Sequence, residues 1–102
     1  MLTIVAKLQA APGKEARLQE VLTEMVGNVK TNEAGKTLVY SLHTSPKEAG
    51  LFLFYEQYAN QEAIDAHGKT DHMRTMGRAL RDEGLIAGAP VIESYTQVAG
   101  VC

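Results

Sequence analysis

Residues suited to acid–base chemistry lie close together between positions 56 and 72. Glu56 lies within an apolar segment, and His67 and His72 lie on either side of Gly68. A neutral imidazole can bind a phenolic or enolic oxygen and accept its proton near pH 7. A carboxylate paired with an imidazole fixes its tautomer, and we expect Glu56 to orient one of the two histidines. These residue types predict proton transfer on a small molecule.

The spacing of the two histidines requires a break in the helix that carries them. Residues five apart on one helix point about 140° away from each other, because a turn takes about 3.6 residues. Gly68 interrupts the helical pattern, and Thr70 can cap a new helix that begins at Asp71. The interruption allows both imidazoles to face one pocket between the helices and a sheet.

Each of these residues also has a structural interpretation. His67 could be a packed, hydrogen-bonded histidine beside Ala63 and Ile64. His72 could be a capping or surface residue in the first turn of its helix. Glu56 could form a structural ion pair or a contact between subunits.

Aromatic and thioether side chains near the acid and the histidines are expected to line the pocket and contact the substrate, although such side chains are commonly core residues. The predicted substrate-binding residues are Tyr58, Tyr40, Phe54 and Met73.

Several other kinds of site are disfavoured. The histidines form no His-x3-His pair, and we predict no metal. No phosphate loop, nucleophile elbow, or flavin or nicotinamide motif is present, and we predict no cofactor. Cys102 is the single cysteine, so an intrachain disulfide is impossible.

The hydropathy pattern predicts the elements that hold these residues. Alternation of apolar and polar residues predicts strands over 2–9, 37–44, 51–58 and 91–98. In the third strand one face carries Phe52, Phe54, Glu56 and Tyr58, and in the second strand one face carries Leu38, Tyr40 and Leu42.

Helical periodicity predicts three helices. The first opens at Pro12 and fades near Lys30, the second runs from a cap at Asn60 through His67, and the third runs from Asp71 to a stop at Gly84. The order is βαββαβ with a broken second helix. It predicts an α+β, ferredoxin-like antiparallel sheet with helices on one face.

Size and charge restrict the class of protein. A chain of 102 residues fits one domain spanning residues 1–102. A net charge of -2 argues against a nucleic-acid partner or a polybasic membrane surface. No apolar run spans a bilayer and the N-terminus lacks the pattern of a signal peptide, so we expect a cytoplasmic protein. The uncovered sheet face predicts a homodimer.

The chain resembles the antibiotic biosynthesis monooxygenase family over its whole length. The resemblance rests on the first strand, the helix entry Ala11-Pro12-Gly13-Lys14, the strand motif Tyr55-Glu56-Gln57-Tyr58, and Ala66-His67 followed by Thr70-Asp71-His72-Met73. It implies a dimeric α/β barrel of ferredoxin-like subunits, each with a pocket between sheet and helices.

The resemblance also implies a reaction. Some members oxidise quinols or polyphenols with molecular oxygen and without metal, flavin or another prosthetic group. We therefore expect a cofactor-independent monooxygenase, an oxidoreductase in which His67 and His72 transfer protons and bind oxygen. Another branch isomerises a phosphorylated carbonyl compound, and there Lys69 and Arg74 could hold the phosphate. A third possibility is a non-catalytic dimeric protein that binds a ligand or acts in a stress response.

Overall fold

The computed structural model describes residues 1–101, and Cys102 lies outside the described residues. Four strands are present: β1 (Leu2–Gln9), β2 (Thr37–Thr44), β3 (Leu51–Tyr58) and β4 (Val91–Thr96). Helices α1 (Glu15–Asn32), α2 (Gln61–Gly68) and α3 (Asp71–Asp82) connect them. All strand pairs are antiparallel in the order β2-β3-β1-β4, which confirms the α+β ferredoxin-like fold.

Within residues 1–101, no helix has both the length and the apolar character needed to cross a membrane.

The predicted bounds of the first three strands are confirmed, whereas two other predicted ends are wrong. Helix α1 begins at Glu15 rather than Pro12, because Gly13 has a φ of 79° and forms a turn ahead of the helix. Strand β4 ends at Thr96 rather than Val98. Helix α1 continues to Asn32, which brings its C-terminal end close to β2.

The core lies between one face of the sheet and the helices. Phe52, Phe54 and Tyr58 of β3 are 4%, 2% and 0% exposed, and Glu56 lies buried on the same face. The predicted inward face of β3 is thus confirmed. In β2, a register shift between Thr37 and Val39 takes Leu38 out of the alternation, and this leucine is exposed instead of facing the core.

The hydroxyl group of Thr70 links the two helices at the break between the histidines. Thr70 Oγ1 accepts a hydrogen bond from the Met73 amide at 3.2 Å and donates one to the His67 carbonyl at 2.9 Å. The threonine therefore caps α3 and fastens it to the end of α2. This confirms the predicted cap. It also positions the first turn of α3, which carries His72, relative to the end of α2.

Candidate functional site

Both histidines contact the same carboxylate, that of Glu33. Its Oε1 is 2.9 Å from His67 Nδ1, and its Oε2 is hydrogen-bonded to His72 Nε2. Thr37 Oγ1 also donates to Oε1, at 2.6 Å. Glu33 is only 5% exposed. The predicted convergence of the two histidines on one place is therefore present, and a residue that the sequence pattern did not single out holds it together.

Backbone hydrogen bonds place Glu33 at the junction of α1 and β2. Its amide donates to the Val29 carbonyl at 2.9 Å, which closes the last turn of α1, and its carbonyl accepts from the Thr37 amide at 3.0 Å. The sequence pattern predicts a turn over residues 31–35, and a glutamate in a turn is ordinary, so the pattern gave no reason to predict Glu33 as a site residue. The available signal is a weak one: an acidic residue is unfavourable at a helix C-terminus because of the helix dipole, so its presence there suggests another role.

The ionisation state of Glu33 determines which imidazole nitrogens carry hydrogen. Burial alone raises the pKa of Glu33, but hydrogen bonds from Thr37, His72 and His67 outweigh burial, and the pKa lies below its ordinary value. A carboxylate only accepts, so His67 Nδ1 and His72 Nε2 are both donors. In the neutral rings, His67 Nε2 and His72 Nδ1 are therefore acceptors. Neither forms a hydrogen bond within residues 1–101, and neither is sealed from solvent.

The expectation that Glu56 orients a histidine is wrong. Tyr58 Oη donates to Glu56 Oε1 at 2.5 Å, and within residues 1–101 no histidine is hydrogen-bonded to this carboxyl group. The reason is strand geometry, since Glu56 and Tyr58 are two apart and share one face of β3. Burial raises the pKa of Glu56 to about 7, although the hydrogen bond from Tyr58 opposes the shift.

Aromatic rings separate Glu56 from the histidine pair. The Tyr58 ring centroid lies 5.5 Å from that of His67, and the Tyr40 centroid lies 5.3 Å from His67 and 4.7 Å from Phe54. Burial, followed by the negative charge of Glu56, raises the pKa of both tyrosines. Both phenol groups therefore remain protonated at neutral pH, and that of Tyr58 is the donor to Glu56.

The predicted substrate-binding residues separate into two groups. Phe54 and Tyr58 are buried in the core and closed to a ligand; the Tyr58 ring packs against His67, and the Phe54 ring packs against Tyr40. Tyr40 is partly buried and lines a groove of about 440 Å³ at the edge of β2. Met73 is partly exposed in the first turn of α3, next to His72.

His72 lines two clefts at the surface. It lines a cleft of about 260 Å³ between α1 and α3, and also a wider polar cleft of about 580 Å³ that includes Lys69. Arg74, the other predicted phosphate-binding residue, is ion-paired with Asp71. In the part of the chain that the structure describes, no cluster of three or more His, Cys, Asp or Glu side chains is arranged as a metal site.

Comparison with known proteins identifies similar chains. The family model of the antibiotic biosynthesis monooxygenases matches residues 1–79. A Caulobacter crescentus CB15 protein described as a candidate antibiotic biosynthesis monooxygenase has a similar structure, with a TM-score of 0.87 and 38% sequence identity over 96% of this chain and 90% of that one.

Two further solved structures share the fold. A Pseudomonas aeruginosa protein has a TM-score of 0.85 and 28% identity over 96% of this chain and 94% of its own. A Mycobacterium tuberculosis protein has a TM-score of 0.86 and 16% identity over 99% and 98% of the two chains, and that likeness concerns the fold alone. No relative of curated function matches the sequence.

Proposed function

Because the chain belongs to the antibiotic biosynthesis monooxygenase family, we propose that it oxidises a quinol or other phenolic compound with molecular oxygen, without a bound metal or organic cofactor. The observation that carries this proposal is the buried Glu33 carboxylate that holds His67 and His72, each with a free acceptor nitrogen. Such a pair supplies the general base that turns a phenol into an electron-rich phenolate.

The reaction requires only the substrate and oxygen. A free imidazole nitrogen takes the hydroxyl proton, and the phenolate donates an electron to oxygen. Recombination at a ring carbon forms a C–O bond and a peroxide anion, and the imidazolium returns its proton to the outer peroxide oxygen. The O–O bond then breaks, and the departing hydroxide takes the hydrogen of that ring carbon to form water. A hydroquinone thus becomes a hydroxyquinone, with one oxygen atom in the ring and the other in water. The protein contributes orientation, proton transfer and a shielded site.

The side chains around the pair have distinct roles in this proposal. Glu33 fixes the tautomer of both rings and stabilises each imidazolium when it forms. Glu56 acts indirectly, through its hydrogen bond to Tyr58, whose ring packs against His67. Tyr40 and Met73 are the predicted substrate contacts that are not sealed in the core.

A homodimer is part of the same proposal. The sheet face that turns away from the helices exposes Tyr55, Val91 and Tyr95 at 37%, 55% and 52%. Two such faces packed together would remove these side chains from water. The proposed location of the protein is the cytoplasm.

The test is oxygen uptake by the purified, metal-stripped protein with a panel of quinols and phenols. The variants are His67→Ala and His72→Ala, and the control is Lys47→Ala, because Lys47 is exposed between β2 and β3 and lies outside both the Glu33 cluster and the groove beside Tyr40. We expect uptake in the wild type and the control, a loss of at least about a hundredfold in the two site variants, and one ¹⁸O atom from ¹⁸O₂ in the product. Full activity in both site variants would refute the assignment.

A second function is favoured by one observation, that Lys69 and His72 line the same polar cleft. An ammonium group beside a base suits a phosphorylated carbonyl compound that is isomerised by proton transfer. Exchange of a substrate carbon-bound hydrogen with solvent deuterium, without oxygen uptake, would identify this reaction. A ligand that binds and is recovered unchanged in both assays would instead identify a binding protein.

A further inference from the structure

Strand β4 carries exposed apolar side chains on both faces of the sheet. Val91 and Tyr95 lie on the face that turns away from the helices. Ile92 lies on the helix side, because it is paired with the buried Ala6 of β1, yet it is 63% exposed. Two sheets packed face to face cover Val91 and Tyr95 and leave Ile92 in water.

The opposite edge of the sheet has an opening on the same side. Strand β2 forms that edge, and the groove of about 440 Å³ beside Tyr40 lies between this strand and α1. We name it the Tyr40 groove. Its walls include Val26 of α1 and Leu42 of β2, which are partly buried against the core, and polar side chains of both elements complete the lining. The groove is therefore a partly apolar recess next to a free strand edge.

The backbone groups that point out of the sheet match at the two edges. The Ser45 amide donates to the Leu51 carbonyl at 3.0 Å, so odd-numbered residues of β2 face β3 and even-numbered ones, from Tyr40 onward, face the open edge. The Gln97 amide donates to the Met1 carbonyl at 3.1 Å, so the even-numbered residues of β4 also face outward. On both strands these are also the residues whose side chains lie on the helix side.

A two-fold axis parallel to the strands brings the two kinds of edge together, because the rotation places the β4 edge of one sheet over the β2 edge of the other. Neighbouring strands are all antiparallel, so β2 and β4 run in opposite directions, and the rotation keeps this relation and the level of each row of paired residues. Two rows on the helix side are Leu42, Phe54, Ala6 and Ile92, and Tyr40, Glu56, Ile4 and Ser94. The partner's Ile92 is therefore level with Leu42, and the partner's Ser94 with Tyr40.

We propose that a second copy of this chain adds its β4 to the free edge of β2, with the partner's Ile92 seated in the Tyr40 groove. The outward-facing backbone groups of Leu42 then oppose those of the partner's Ile92, as in a hydrogen-bonded antiparallel pair. Twisted sheets can meet in this way at their edges, and the pairing leaves neither edge free. The assignment rests on the homodimer of the proposed function and does not require turnover.

Charge complementarity supports a second copy as the occupant. His43 is the only basic residue of β2, and Glu93 is the only acidic residue of β4. Both lie on the face away from the helices, and the partner's Glu93, level with Ser41, is diagonal to His43 and within reach of it. A pairing of β4 with the partner's β4 would instead place two glutamates on one face, where like charges repel.

The partner strand then forms part of the candidate site. Tyr40 lies in the groove, and its ring centroid is 5.3 Å from that of His67. The partner's Ser94 is level with Tyr40, so the incoming strand shields the outer side of this ring from water. One subunit alone leaves the groove open at the strand edge, and the second subunit completes its wall.

The experiment forms a disulfide between two copies, and every variant carries Cys102→Ser, which removes the only cysteine. In Ser41→Cys/Glu93→Cys the two thiols of one chain lie at opposite edges of a four-stranded sheet, about 14 Å apart and beyond the reach of a disulfide. Between copies the same positions form a non-hydrogen-bonded pair with Cα atoms about 4.5 Å apart, which suits a disulfide. On mild oxidation we expect at least about half of the protein to become a dimer in which residue 41 is joined to residue 93.

The single variants Ser41→Cys and Glu93→Cys are the matched controls and should not cross-link. A disulfide in Glu93→Cys alone would show β4 against β4 and overturn the proposal. Failure of the folded double variant to cross-link would overturn it as well.

A charge at Ile92 gives a second result that does not depend on a disulfide. Ile92→Lys places an ammonium group in the Tyr40 groove of the partner, and we expect at least about tenfold weaker association by sedimentation. Thr31→Lys adds the same charge at the exposed end of α1 and should associate like the wild type. Equal association in the two variants would contradict the edge pairing, because face-to-face packing alone leaves Ile92 in water. Circular dichroism confirms that each variant is folded.

Oxygen uptake separates this inference from the proposed reaction. Cross-linking of residue 41 to residue 93 without uptake by the wild type would refute the monooxygenase and leave the edge pairing standing. Uptake by a wild-type protein that sediments as a monomer would overturn the edge pairing and leave the reaction standing.

Discussion

Replacing Glu33 by glutamine tests the central arrangement of the site, because the shape is kept and only the acceptor pattern changes. The carboxylate accepts hydrogen bonds from Thr37, His67 and His72. Glutamine has one acceptor oxygen and one donor amide group. When its oxygen takes the place of Oε1, the bonds from Thr37 and His67 remain, but the amide then faces the N–H of His72.

The expected loss of stability follows from counting these bonds. The hydrogen bond from His72 to the carboxylate is lost, and such a charge-assisted bond contributes about 1.5–3 kcal/mol to stability. The bonds from Thr37 and His67 remain but no longer have a charged acceptor, so they are weaker. We expect Glu33→Gln to lower the free energy of unfolding by about 3 kcal/mol at pH 7. For a domain near 100 residues, this corresponds to a fall in Tm of roughly 12–24 °C. We expect oxygen uptake to fall about a hundredfold, because His72 can bond the amide only with its tautomer reversed.

The pH dependence of the effect has a definite sign. The pKa of Glu33 is lower in the folded protein than its ordinary value of 4.5, so the unfolded chain takes up the proton first on acidification. The stability that the carboxylate contributes is complete above pH 4.5 and is lost as the pH falls through the folded pKa. The difference between wild type and Glu33→Gln should therefore shrink below pH 4.5.

The assay is urea unfolding at several pH values, with oxygen uptake measured on the same preparations. Glu48→Gln makes the same chemical change on an exposed loop carboxylate and serves as the matched control. Its stability and uptake should stay within error of the wild type. If Glu33→Gln were as stable and as active as the wild type at pH 7, Glu33 would not hold the histidine pair as described.

Other parts of the structure yield three further predictions. Burial raises the pKa of Glu56 to about 7, so the unfolded chain loses this proton first as the pH rises. The free energy of unfolding of the wild type should therefore fall by on the order of 3 kcal/mol between pH 4.5 and 7. In urea unfolding, the stability of Glu56→Gln should not change over this pH range. In thermal unfolding, Gly50→Ala should lower the stability by about 1–2 kcal/mol, because φ is +77° and the new Cβ would lie 3.2 Å from Ala10 Cβ. A Cβ at Gly68 would have no atom within 4 Å, so Gly68→Ala should be neutral or stabilising. Thr70→Ala and Asn60→Ala should each lower the free energy of unfolding by about 1 kcal/mol, because each removes a helix cap. Only Thr70→Ala should also slow oxygen uptake, because the Thr70 hydroxyl links the two helices that carry the histidines. Equal uptake in both variants would contradict this.

Local patterns in the sequence were sufficient to predict most of the fold. Alternation places Phe52 and Phe54 on the inward face of β3 because side chains of a strand point to opposite faces in turn. Asn60 and Thr70 mark their helices because their side-chain oxygens accept from free amides three residues on. The errors were also local. The predicted start of α1 was wrong because proline is favoured both at the first position of a helix and in a turn that precedes one, and Pro12 lies in such a turn.

The candidate site divides between what was predictable and what was not. His67 and His72 were predictable as site residues because they lie on either side of a helix break and because imidazoles can transfer protons near neutral pH. The carboxylate that joins them lies 34 and 39 residues earlier in the chain, at the end of another helix. Glu56, closer in sequence to both histidines, is bonded to Tyr58 instead. Side-chain type and spacing determine which groups are capable of proton transfer and which local element carries each one. The packing of α1 against α3 and the sheet decides which carboxylate meets which imidazole, because such pairs are set by the directions in which distant elements approach.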